Sequence, residues 1–120
     1  MKELSAGQVH LVVFVNDRGK PIAVPGHLVV SNGDEIVFHS VDVGPVSLLF
    51  PDGIVATVPG GVQVRGAEIQ DSRHPTRVYV NLDAVAERGP GLYSYAAYCR
   101  DRAIEDFAVG GSQPKIIIYQ

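Results

Sequence analysis

The chain has 120 residues, 46% hydrophobic and 19% charged, with a net charge of −3. That length suits one domain that buries a core without help from disulfides or metal, and that balance excludes a disordered chain. The ten Lys and Arg residues are scattered, without the cluster that phosphate neutralisation needs, which argues against a nucleic-acid partner.

From the start, Met1-Lys2-Glu3-Leu4 carries no signal-peptide pattern. Taken as written, the expectation is a cytoplasmic protein; a removed signal would make it periplasmic. Apolar runs such as Leu11–Val15 stop at five residues, far short of the roughly 20 needed to cross a bilayer, so no membrane span is expected. The lone Cys99 excludes an internal disulfide.

The first strand is expected over Gln8–Val15. His27–Ser31 and Asp34–His39 flank the turn pair Asn32-Gly33. Val46–Phe50 and Gly53–Val58 flank Pro51-Asp52. Thr76–Leu82, Leu92–Cys99 and Lys115–Tyr119 complete the set. These runs are short, rich in β-branched and aromatic residues, and bounded by turn residues, as in a sandwich or barrel of seven to eight strands. Helical signal is confined to Asp83–Arg88 and Arg102–Phe107, both too short to dominate. No linker or internal repeat divides the chain.

Strand alternation assigns faces. Ile36 and Phe38 share the better core face, opposite Glu35, Val37 and His39. Tyr93, Tyr95, Ala97 and Cys99 share a face, opposite Ser94, Ala96 and Tyr98. The unbroken run Ile116-Ile117-Ile118 suggests a strand covered on both sides.

Two stretches carry a family resemblance. Leu28-Val29-Val30-Ser31-Asn32-Gly33-Asp34-Glu35-Ile36-Val37-Phe38 has an apolar strand, a Gly-Asp turn and an alternating strand. Pro90-Gly91-Leu92-Tyr93-Ser94-Tyr95-Ala96-Ala97-Tyr98-Cys99 is similar to a Pro-Gly-x-Tyr-x-Tyr strand running into a cysteine. Together they resemble the cupredoxins, the blue-copper family. The resemblance implies an all-β, cupredoxin-like Greek-key fold, with residues 1–120 as a single domain.

It also implies a type 1 copper centre of two His, one Cys and a weak axial ligand. Cys99 matches the thiolate position. Val46 stands in the slot expected for the first His. The stretch after Cys99, Arg100-Asp101-Arg102-Ala103-Ile104-Glu105-Asp106-Phe107, contains no His, and the only Met is Met1. Val cannot ligate a metal, and Arg stays protonated and repels a cation. The expectation is therefore no cofactor, with copper as the alternative.

Cys99 has a bland reading as a packed core thiol and a sharp one as a thiolate activated by Arg100 and Arg102. No His lies near it in sequence to serve as a base. His10, His27, His39 and His74 show no ligand spacing, although strands could bring them together in space. The mixed charges of Arg100, Asp101, Arg102 and Glu105 mark a candidate interaction loop, with Val46, Leu48 and Phe50 as a candidate apolar surface beside it. The sequence reads as a non-catalytic binding module with an unknown protein or small-molecule partner. The alternative is a metal-binding redox protein with relocated ligands including Cys99. Sandwich edges also allow a homodimer through strand pairing.

Overall fold

The computed structural model describes residues 7–81, 91–101, 106–109 and 113–118. Among these residues there are thirteen strands and no helix. β1 (Val9–Asp17), β2 (Lys20–Val24), β4 (Glu35–Ser40), β6 (Val55–Ala56), β7 (Gln63–Val64) and β9 (Thr76–Val80) form one sheet in the order β2-β1-β4-β9-β6-β7. β3 (His27–Val30), β10 (Gly91–Ser94) and β13 (Lys115–Ile118) form a second, ordered β10-β13-β3. β5 (Val46–Leu49), β8 (Gly66–Ile69), β11 (Ala96–Cys99) and β12 (Asp106–Phe107) form a third, ordered β12-β11-β5-β8. The sheets are open, so the fold is a sandwich and not a closed barrel.

The inner faces of all three sheets meet in one core. β1 and β4 contribute Val12, Phe14, Ile36 and Phe38; β5 and β11 contribute Val46, Leu48, Ala97 and Cys99; β10 and β13 contribute Tyr93, Ile116 and Ile118. The expected faces of β4 and of the Tyr93–Cys99 stretch hold. At the centre, the Phe38 ring lies 6.0 Å from Phe14, 5.8 Å from Phe50 and 5.6 Å from Tyr95, centroid to centroid. The Tyr95 hydroxyl is buried there with no hydrogen-bond partner among the described residues. Such a group costs about 1–3 kcal/mol, so the ring and not the hydroxyl accounts for the packing.

The strand count rises from eight to thirteen: β7 and β8 are added between the expected strands, and the other three additions have identifiable reasons. Arg18 (φ 56°) and Gly19 (φ 87°) form a tight turn that folds β2 back on β1, and Asn16 Oδ1 accepts the Gly19 N–H at 2.7 Å. Pro21 hides this strand in the sequence, and it is tolerated because β2 is an edge. The expected strand Leu92–Cys99 is two strands. It breaks at Tyr95, where the chain leaves the three-stranded sheet and enters the four-stranded one. Ile117 is only half-buried, unlike its neighbours Ile116 and Ile118, so β13 is fully covered on one face alone. Asp106–Phe107, expected at the end of a helical turn, pairs with β11 as a strand. Residues 102–105 and the other expected helical turn, Asp83–Arg88, lie outside the described residues.

The Asn32-Gly33 turn joins β3 to β4, which belong to different sheets, so it is a corner and not a hairpin. Asp34 fixes this corner. Its carboxylate accepts the N–H groups of Gln8 (3.0 Å) and Ser31 (2.9 Å) and lies 2.8 Å from His10 Nε2. Its backbone carbonyl accepts the Val80 N–H from β9. One buried residue thereby ties together the ends of β1, β3, β4 and β9.

Candidate functional site

The opposite end of the sandwich holds the residues singled out in the sequence. β5 and β11 run antiparallel with Cys99 directly opposite Val46, and Val46 in turn opposite Ile69 of β8. All three are fully buried, as is Val43 in the preceding loop. The position that would face the cysteine with a ligating imidazole therefore carries an aliphatic side chain packed against aliphatic neighbours.

The apolar residues Val46, Leu48 and Phe50 do not form a surface. β5 alternates, so its odd neighbours Ser47 and Leu49 face out while these three enter the core with at most 3% exposure. Val46 is thus a core residue and cannot belong to an exposed interaction loop.

Burial pushes the Cys99 thiol up to about 11, and the Asp106 carboxylate, opposite it on β12, adds to the effect. Arg100 does not activate it. Its guanidinium turns outward and donates to Glu68 Oε1 at 3.0 Å, an oxygen that also accepts the Ser47 hydroxyl at 3.0 Å. This exposed ion pair contributes under about 1 kcal/mol. The thiol is therefore expected to resist a disulfide-exchange reagent at neutral pH and to react stoichiometrically once the chain is unfolded in denaturant. Rapid reaction of the folded protein would overturn the packed-thiol reading.

Arg100 and Asp101 do lie together at the exposed rim of this end. The Arg100 N–H donates to the Pro45 carbonyl at 3.0 Å, which anchors the strand after Cys99 to the loop before β5. In that loop Gly44 has φ 72°, and a Cβ there would stand 3.1 Å from the Asp101 Cβ. The Ser40 hydroxyl donates to the Gly44 carbonyl and closes the loop. Arg102 and Glu105, the remaining members of the expected loop, lie outside the described residues.

The four histidines are dispersed. His10 pairs with Asp34 at the far end, His74 sits 2.8 Å from Asp71 in an exposed turn, His27 stands opposite Lys115, and His39 stands opposite Val13 on the outer face of the large sheet. Among the described residues, no three His, Cys, Asp or Glu side chains are close enough to share a metal ion. The donor set around Cys99 does not fit a type 1 copper ion, because its cross-strand neighbours are Val46 and Asp106 and none of the four histidines is among them. No helix among the described residues is long and apolar enough to cross a membrane.

The sequence reading missed Asp34 and its partners. An Asp directly after a Gly turn, with a His at an inward-facing strand position, was the available signal.

No family model matches the sequence, and no curated protein matches it either. Solved structures do. A proline-to-phenylalanine mutant of amicyanin in its reduced state has 16% identity, covers 97% of this chain and 86% of its own, and superposes with a TM-score of 0.50. A methionine-to-alanine mutant of amicyanin with Cu(I) has 14% identity, covers 92% of this chain and 81% of its own, also with a TM-score of 0.50. At such identities the likeness concerns the backbone arrangement alone. The strand pattern, the open sandwich and these neighbours together give the chain a cupredoxin-like fold.

Proposed function

We propose that this chain is a copper-free, non-catalytic binding module built on a cupredoxin-like scaffold. The observation that carries the reading is the pairing of Cys99 with Val46, both buried in the hydrophobic core. A protonated thiol in an apolar pocket is neither a ready metal ligand nor a nucleophile. The exposed rim above it, with Arg100, Glu68 and Ser47 joined by hydrogen bonds and Asp101 beside them, is the recognition surface of the module. Its mixed charge suits a polar protein surface carrying both signs.

Copper titration tests this. Tag-free protein mixed with Cu(II) is expected to develop no intense thiolate-to-copper absorption band and to retain no stoichiometric metal after gel filtration. Copper retained at one equivalent, and lost in Cys99→Ser, would overturn the proposal in favour of a metal-binding redox protein. Thermal unfolding is expected to be the same with and without chelator.

A further inference from the structure

The outer face of the large sheet is apolar where a solvated sheet face is normally polar. β1 sends Val12 and Phe14 inward, yet its outward side chains are Val9, Leu11, Val13 and Val15. The register with β2 sets Val24 beside Val13 and Ile22 beside Val15, and the register with β4 sets Val37 beside Leu11. Seven aliphatic side chains thus share one patch, with Val37 already buried within it. Val9 is 64% exposed, Leu11 53% and Val24 48%.

The rim of the patch is electrically balanced. At one end Arg77 Nη1 donates to Glu35 Oε2 at 2.9 Å. At the other, Asp17 stands opposite Lys20 at the β1–β2 turn. Tyr79 borders the patch beside Glu35, and His39 borders it between the ends, opposite Val13. Among the described residues the first end carries one acid and one base, and the turn end carries two of each, Asp17 and Asp42 with Arg18 and Lys20, so two copies of the face meet without net like-charge repulsion. A strongly charged partner finds no counter-charge there. An interface between two identical patches must be self-complementary, and a neutral, aliphatic sheet face meets that condition.

The size fits a weak dimer. With strands about 4.8 Å apart and about 3.3 Å per residue, β1 from Val9 to Val15 and the stretches of β2, β4 and β9 in register with it cover roughly 300 Å². Two copies with their rims then bury under about 1,000 Å² in total, in the range of weak, transient association. We propose that this face is a self-association surface, on which a second copy of the chain stacks sheet against sheet. It is separate from the Arg100 rim, and it uses the face of the sheet instead of pairing at an edge.

Sedimentation velocity on the full chain, from about 1 μM to about 1 mM, tests the proposal, since a micromolar dissociation constant falls inside that range. The expected result is a concentration-dependent shift from monomer to dimer. Leu11→Lys and Val24→Lys are each expected to weaken it at least tenfold while leaving the thermal midpoint nearly unchanged, because both positions are exposed. Should Leu11→Lys fail to fold, Val9→Lys at the most exposed position carries the same expectation. A monomer across the whole range overturns the proposal, and so does a dimer that survives the lysine substitutions.

Discussion

Phe38→Ala is expected to lower the free energy of unfolding by about 3–5 kcal/mol, a large share of the roughly 5–15 kcal/mol that holds a domain together. Phe38 is fully buried and touches three other rings, Phe14, Phe50 and Tyr95, contributed by the large sheet, the end of β5 and the break between β10 and β11. Truncation removes the packing of all three at once, and the two layers cannot close on the void without moving strands. Urea denaturation followed by far-ultraviolet dichroism measures it, with the midpoint falling and the slope unchanged. A loss below about 1 kcal/mol would mean that the ring cluster is not the centre of the core.

The second large effect is expected at the other end of the sandwich. Asp34→Ala removes the acceptor for two backbone N–H groups and for His10, and leaves these donors in a partly buried corner; the cost is about 3 kcal/mol at neutral pH. The carboxylate also dictates an acid limb. Burial works to raise its pKa, but the hydrogen bonds from Ser31, His10 and Gln8, with the His10 charge, outweigh it and hold the group below its ordinary value of 3.8. Protonation therefore favours the unfolded chain. The contribution of Asp34 is fully present above the ordinary carboxyl range and is lost as pH falls through it toward the lower folded value. Stability measured from pH 7 down to about pH 3 is expected to drop on the acid side in the wild type and to run flatter in Asp34→Asn. Parallel curves for the two proteins would remove Asp34 from the acid response.

The sequence made parts of this legible because their signals are local. Alternation alone gave the inward placement of Ile36, Phe38, Tyr93, Tyr95, Ala97 and Cys99. The occupants of the ligand slots were legible too, and the structure brings Val46 and Cys99 face to face. What sequence could not supply was pairing at a distance. Nothing local says that Leu92–Cys99 changes sheets at Tyr95, or that Asn32-Gly33 turns a corner and not a hairpin. Val46, Leu48 and Phe50 were misread as surface because an apolar triad looks the same whether it faces water or a core. Conversely, the run Leu11–Val15 is apolar at inward and outward positions alike, a local signal that β1 is apolar on both sides.

The change of sheet at Tyr95 has a dynamic consequence. Its N–H is held by the Pro114 carbonyl and its own carbonyl by the Gln113 amide, so the segment leading into β13 grips the pivot between β10 and β11. Tyr95 alone intervenes between the two smaller sheets, and these two bonds pin it so that it does not act as a free hinge. Fraying of one pulls on the first pair of the other, and the Ala97 carbonyl, bound to the Ala108 N–H, passes that strain to the edge where Val109 meets β2. Amide protons on β10, β11 and β13 are thus set to exchange with solvent together, in a single cooperative opening, instead of sheet by sheet.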